Sequence, residues 1–482
     1  MSLSSSLSNA LSGLNVQARA ASIVSANIAN ATTEGYGRRE LEIGTSRVGG
    51  GVRVEGVTRS VDEAVIRDRR SADAALGYAN TRSSYLTATL NLVGTPDDAA
   101  GLSGRLRQFE ASLIEAAGRP DEPVRLAGVL ASAQSLTEGV NDISDGVQRL
   151  RQDADQDIAR QVDALNAGLL AVRDLNAQIS AFNGQGRDAS VLFDERQRAI
   201  DQISEIVPLR TLPRDDGKVA LLTDGGALLL DSTVRTIGFN QTATITADMT
   251  LASGALSGLT IDGDPVRLDG AGAPLAGGSL AALFEMRDTA LPTQQSRMDA
   301  FARDLVDRFA ETGLDATTVA GAPGLFTDRG AALNPADLDG LAGRLTVNAA
   351  ADPAQGGEIW RLRDGLGAAV EGATGDATLL NGYYNALTAV QAPVDTTITS
   401  ASRSATGLAA DMANLLGGEL LIAERDSGFR DALRESLLQQ ERAAGVSTDD
   451  ELQKLLLIEQ NYAANARMIQ TLDSLFQQII GI

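Results

Sequence analysis

TDDELQKLLLIEQNYAANARMIQTLDSLFQQII, residues 448–480, decides the fold. Within it Leu455, Ile458, Tyr462, Asn465, Ile469, Leu472, Phe476 and Ile479 recur at alternating steps of three and four, the apolar seam of a heptad helix. Gly445 breaks the chain beforehand, and Thr448 with Glu451 three residues on reads as a capping box that satisfies the first free amides. The spacing predicts a helix from about Asp449 to Ile480, roughly 48 Å long at 1.5 Å per residue. Asn465 is the polar member of the seam, of the kind that fixes register at some cost in stability. The other end of the chain carries a similar pattern: Leu7, Leu11, Leu14, Ala18, Ala21, Ser25 and Ile28 predict a coiled-coil-like helix ending near Ala31. A turn over residues 32–37 follows, then strand-like alternation at Val52, Val54 and Val57. Isolated helices are marginal in water, so each terminal helix needs a partner. Periodicity leaves three open: the other terminus, a neighbouring copy, or an ordinary helical domain.

Between the ends a third long pattern follows Pro120 and Pro123. Leu136, Val140, Ile143, Val147, Leu150 and Ala154 lead into Ile158, Val162, Leu165, Leu169, Val172, Asn176 and Ile179. The successive steps of four around Ala154 and Ile158 read as a stutter. The pattern predicts a helix or helix pair of roughly 90 Å, ended by Asn183, Gly184 and Gly186. A shorter helix from Ala189 runs to Pro208. The period then changes. Turn residues at 215–218 and 224–226 flank short apolar runs, predicting hairpins, and residues 242–268 alternate similarly. Helix returns over 277–313, a β-like segment surrounds Leu345 to Val347, and helices resume after about Asp376. The fold class is therefore mainly α with a β-rich insert: paired terminal coiled-coil helices, an elongated helical-bundle stalk and a central β domain.

Composition narrows the chemistry. A length of 482 residues suggests several domains. With 63 acidic against 41 basic residues, a formal charge of -22 opposes binding to nucleic acid or anionic membrane. Neither cysteine nor histidine occurs, which excludes disulfides, thiolate or imidazole metal ligands and imidazole-based triads. The first charge is Arg19 and no apolar run precedes a cleavage site, so no secretory signal is read. No apolar run is long enough to span a bilayer, and no membrane insertion is expected. Gly184-Gln185-Gly186-Arg187-Asp188-Ala189 matches a dinucleotide fingerprint in letters, but it follows a helix where the mechanism needs a strand. Gly217-Lys218 lacks the spacing of a P-loop. Asp262-Gly263-Asp264 with Asp269-Gly270 fits no calcium loop and reads as turn carboxylates. No catalytic, cofactor-binding or metal-binding residue is read, and no cofactor is expected. Paired carboxylates for glycan hydrolysis remain the alternative from another functional class.

Ser25-Ala26-Asn27-Ile28-Ala29-Asn30-Ala31-Thr32-Thr33-Glu34-Gly35-Tyr36-Gly37-Arg38 closely resembles the N-terminal signature of flagellar rod, hook and hook-associated proteins, with Ala26 in place of a customary asparagine. Gln460-Asn461-Tyr462-Ala463-Ala464-Asn465-Ala466-Arg467-Met468-Ile469 resembles the C-terminal signature of the same family. Leu192-Phe193-Asp194-Glu195-Arg196 and Gly277-Gly278-Ser279-Leu280-Ala281-Ala282-Leu283, followed by Arg287-Asp288, resemble internal blocks of its hook-associated members, which hook and rod proteins usually lack.

The resemblance implies a structural subunit of the bacterial flagellum at the junction of hook and filament, with a hook or rod subunit as the alternative. It implies a homo-oligomer in the axial structure, with the hook protein, a second junction protein (hook-associated protein 3) and an export chaperone on the C-terminal helix as partners. It also implies export without signal cleavage, from a transient cytoplasmic stage to a secreted, extracellular flagellum, and termini that order on assembly. The expected divisions are 1–60, an axial helix and extended segment; 61–208, the first part of the stalk; 209–375, a β-rich domain with an embedded helical segment; 376–446, the second part of the stalk; and 447–482, the C-terminal axial helix. Assembly residues expected from the two seams and signatures are Leu7, Leu11, Leu14, Asn27, Ile28, Asn30, Gly35, Tyr36, Leu455, Ile458, Tyr462, Asn465, Ile469, Leu472, Phe476 and Ile479. Gly35 is expected to need a positive φ.

Overall fold

The structure, a computed structural model, describes residues 3–46, 50–268 and 272–480. Asp269 and Gly270, read above as turn residues, lie outside them. Helix α1 (Leu3–Ala29) leads through the signature loop to a hairpin of β1 (Arg38–Thr45) and β2 (Val52–Ser60). Helices α2 (Glu63–Val93), α3 (Leu102–Gly118), α4 (Pro123–Gly184) and α5 (Ser190–Ser204) follow. Strands β3 (Leu209–Pro213), β4 (Val219–Thr223) and β5 (Leu228–Leu230) form one antiparallel sheet. Strands β6 (Ile237–Gly238), β7 (Leu259–Ile261) and β8 (Asp264–Val266) form another. After α6 (Gly278–Glu285) and α7 (Leu291–Phe309), β9 (Phe326–Asp328) pairs with β10 (Leu345–Val347). The chain ends with α8 (Arg361–Asp364), α9 (Thr378–Thr388), α10 (Ala405–Ala444) and α11 (Thr448–Ile480). The fold is mainly α with β-rich segments, as the periodicities require.

The long pattern is one helix. α4 runs for 62 residues, roughly 93 Å, and Leu136, Val140, Ile143, Val147, Ala154, Ile158, Val162, Leu165, Leu169, Val172 and Ile179 are all buried. Its stutter has a structural counterpart. Before Ala154 the helix packs into a core with α3, α7, α9, α10 and β9; from Ala154 on it packs into a second core with α5, α6 and strands β3 to β7. The first core is centred on aromatics, with Phe309 and Phe326 edge to face at 4.9 Å and Phe109 and Tyr383 beside them. Segment 209–375 contributes to both cores.

Polar residues on the buried face of α4 hold the β segments by their backbones. Asn176 accepts from Val219 N at 3.2 Å and donates to Val219 O at 2.8 Å. Asn166 does the same to Ile237, at 2.9 and 2.8 Å. Each side-chain amide thus imitates one peptide of a neighbouring strand, which is why a polar residue sits in the seam. The same device corrects one expectation. Residues 242–258, read as alternating strand, contain no strand, because α4 pins them directly. Gln152 donates to Thr242 O, Asp155 accepts from Thr242 N, and Arg151 donates to Thr246 O and Met249 O. Beside them Arg287 is fully buried, 2.7 Å from the buried Asp155 and flanked by the Phe239 and Phe284 rings. A π-helical turn over Met286–Ala290 presents this arginine. Pro292, which has no N–H to donate to the Asp288 carbonyl, accounts for the widened turn.

Candidate assembly site

The terminal helices pair with each other. α11 turns toward α1 the face that its heptads mark: Leu455, Ile458, Asn465, Ile469, Leu472 and Phe476 are half-buried, whereas Tyr462 and Ile479 at the margins are exposed. On α1 the packed face is not the large-residue stripe. Ala10, Gly13, Val16, Val24 and Asn27 are buried, Leu7, Leu14 and Ile28 are half-buried, and Leu11 is 52% exposed. At Gly13 the missing side chain lets the helices approach closely. A Cβ on Gly13 would stand 2.8 Å from Asn465 Nδ2, so the polar seam residue of α11 lies over the glycine of α1. The α11 cap also differs by one residue. Ser447 is the cap, its carbonyl accepting from Glu451 N at 3.0 Å and its hydroxyl from Asp450 N at 3.3 Å. The Glu451 side chain points elsewhere.

Glu451 is buried and accepts from Asn27 Nδ2 at 2.9 Å and Lys454 Nζ at 2.6 Å. Asn27, itself fully buried, uses its whole hydrogen-bonding capacity at this point. It donates also to Arg39 O at 2.9 Å, and accepts from Arg39 N at 3.0 Å and Tyr36 Oη at 2.8 Å. One side chain therefore joins α1, the signature loop, β1 and α11. Burial, with help from Asp194 and Glu451, raises the Tyr36 phenol above its ordinary pKa against the pull of Arg39, so it is held protonated as a donor. Arg39 lies over the Tyr36 ring at 4.9 Å.

Gly35 adopts φ +75 and turns the loop. A Cβ there would meet Arg198 Cγ at 2.7 Å. Asn30 acts locally, donating to Ala26 O and accepting from Thr33 at the end of α1.

Behind the loop, Asp194 of α5 accepts from Gly37 N at 3.0 Å, Arg39 Nη2 at 2.9 Å and Arg59 Nε at 2.7 Å. Arg59 also reaches Gln197, which donates to Glu441 of α10 at 3.1 Å. Arg69 then bridges Asp73, Asp201 and Glu441, and Arg70 pairs with Asp201 at 2.6 Å. Burial disfavours the Arg69 charge, but these carboxylates outweigh it and raise its pKa. The loop, α2, α5 and α10 enclose a cleft of roughly 410 Å³ at this joint. Among the described residues, neither α1 nor α11 contributes to any of the three apolar cores. The joint is made of ion pairs and hydrogen bonds.

Sequence reading named Asn27, Tyr36 and Asn465 but not Arg39, which bonds Asn27, nor Gly13 beneath Asn465, nor Arg59, Gln197 and Glu441 of the network behind the loop. Asp194 entered only through a resembling block, and Glu451 only as half of a cap. A carboxylate three residues into a helix yet followed by a seam was the available signal for Glu451. Nothing local marks the others; the partner of Glu441 on α2, Arg69, lies 372 residues away.

Known proteins match this arrangement. A family profile described as the helical domain of the flagellar hook-associated protein FlgK matches residues 90–326. Profiles of the flagellar basal body rod proteins match at both ends, the C-terminal one over 441–482 and the other over 7–36. Flagellar hook-associated protein 1 of Bacillus subtilis is 24% identical over 98% of this chain and 97% of its own. The protein of that name from Salmonella typhimurium is 30% identical over 48% of this chain and 44% of its own, and that from Escherichia coli 25% over 66% and 59%. A solved structure, the flagellar hook junction protein FlgK from Burkholderia pseudomallei, aligns with a TM-score of 0.44 at 18% identity, over 54% of this chain and 46% of that one. A hook-associated helical domain bracketed by rod-type termini, and an alignment to flagellar hook-associated protein 1 that runs nearly end to end, support a flagellar protein of the hook-filament junction.

Proposed function

We propose that the chain caps the distal end of the flagellar hook and joins it to the filament, assembling as a homo-oligomer through its paired terminal helices. The observation that carries this reading is the construction of the α1–α11 pair. It stands outside every apolar core among the described residues and leaves Leu11, Leu457, Met468, Leu475 and Ile479 uncovered. Such stripes on helices that a single copy covers on one side only suit packing against neighbouring copies. The expected assembly residues divide accordingly. Asn27, Gly35, Tyr36 and Asn465 build the pair within one copy, while Leu11, Tyr462 and Ile479 face outward toward its neighbours. Among the described residues no helix is long and apolar enough to cross a membrane.

On this reading the hook protein lies below the chain and hook-associated protein 3 above it. Export precedes assembly, and a chaperone covers the outer face of α11 beforehand. The chain's role is structural rather than catalytic, in keeping with its family. Deleting the gene tests it. Intact hooks without filaments are expected; loss of the hooks themselves would instead indicate a hook or rod subunit. Purified protein is expected to leave peptidoglycan intact at molar excess, and glycan cleavage would revive the hydrolase alternative.

A further inference from the structure

Helix α10 carries a stripe that its own fold does not use. Leu415, Gly418, Ile422, Arg425, Phe429 and Ala432 follow steps of three and four along the side turned away from α2, and Leu433 adjoins them. Ile422 is 62% and Phe429 65% exposed, and Leu415 and Leu433 are each about two-fifths exposed. A Cβ at Gly418 would meet nothing within 4 Å, so no neighbour among the described residues accounts for a glycine that weakens the middle of a helix. The geometry points to this stripe as a second contact between neighbouring copies, at the level of the stalk, and the inference rests on the axial assembly proposed above.

Size and charge select a second copy as the occupant. Four large side chains about half exposed offer on the order of 400 Å² at most, against the roughly 800 Å² per partner of a standard stable interface. The stripe is too small to capture a free protein. It is large enough to add to a contact between chains already held side by side, because a tether converts the second contact into an intramolecular one. Arg425, in the middle of the stripe, has no ion-pair partner among the described residues. A second copy, with 63 acidic residues against 41 basic, can supply the carboxylate. The same net charge of -22 keeps untethered copies apart in solution.

The absence of native cysteine makes single thiols unambiguous reporters. Ile422→Cys and Phe429→Cys probe the stripe, and Leu475→Cys, on the outer side of α11, probes axial assembly. All three are expected to react with a maleimide in the free protein and to slow at least tenfold on isolated hooks. A benzophenone side chain at position 422 is expected to cross-link to a second copy. If the thiol at 475 is protected while those at 422 and 429 react as in the free protein, the stripe contact is wrong and the axial assembly stands. If the thiol at 475 is unprotected as well, the assembly reading fails and takes the stripe with it. Cross-linking to the hook protein in place of a second copy also overturns the inference.

Discussion

Asn27→Ala should weaken binding to isolated hooks by about a hundredfold while leaving the main thermal transition in place. The structure supplies the magnitude. Removing the amide strips Arg39 N, Arg39 O and the Tyr36 hydroxyl of their shared partner, and leaves Glu451 with Lys454 alone. An orphaned buried polar group costs about 1–3 kcal/mol, and a charged one more. Four such groups could cost about 6 kcal/mol. Water can enter the space left by the side chain, and the site lies at the edge of the fold, which reduces the net loss to about 3 kcal/mol, or roughly a hundredfold in affinity. The loss falls on the α1–α11 pair because neither helix shares a core with the stalk. Sedimentation with hooks gives the affinity, and scanning calorimetry gives the core transition. Asn27→Asp should lose at least as much, since it sets a second carboxylate against Glu451. Hook affinity equal to that of the unaltered protein, or an equal loss of stability in the core transition, would refute the argument.

Other substitutions separate the pair from the cores. Gly13→Leu drives a side chain into Asn465 and should lower hook affinity at least tenfold, measured by the same sedimentation, with no change in the calorimetric transition. Arg287→Met leaves the fully buried Asp155 without its cation and should destabilise the core by about 3–5 kcal/mol in urea titrations. Asp299 supplies a pH test: burial pushes its carboxyl up to about 6, against the hydrogen bonds from Ala342 N, Gly340 N and Gln295. A folded-state pKa above the unfolded value means that acidification favours the folded form. This group's contribution is fully present below about 4 and is lost as the pH rises through 6. Relative to Asp299→Asn, the unaltered protein should therefore gain about 2 kcal/mol between pH 7 and pH 4.5 in urea titrations.

How much of this was legible depended on whether size or fit governed the packing. The seam of α4 was readable, apart from the half-buried Leu150, because most of its buried positions are large and regularly spaced, and even the Ala154–Ile158 stutter corresponds to the change from one core to the other. α11 was readable for the same reason. α1 was readable as a helix but not in its register: Leu7, Leu11 and Leu14 look like a seam, yet Ala10, Gly13 and Val16 are the more deeply buried, with the closest approach at Gly13. β1 was missed because Arg38-Arg39-Glu40 hides its alternation behind charge. In the joint, Asn27 and Tyr36 were marked by the signature, whereas Asp194, Arg59 and Glu441 have meaning only through partners distant in sequence.

The joint's chemistry bears on when the termini order. An apolar interface between the terminal pair and the stalk would gain most of its free energy as soon as a single chain folded, because burying apolar area is favourable whoever the neighbours are. Ion pairs and hydrogen bonds exchanged against water gain little on their own. A polar joint therefore fixes the geometry of the pair without supplying much of its stability, and the Asn27–Glu451 bond makes the two ends, 424 residues apart, order together. What remains to be gained lies in the uncovered stripes of α1 and α11, which neighbouring copies bury on the assembly proposed above. On the assembly proposed above, the stalk packs within a single chain, and the terminal pair completes its packing only where those neighbours are found.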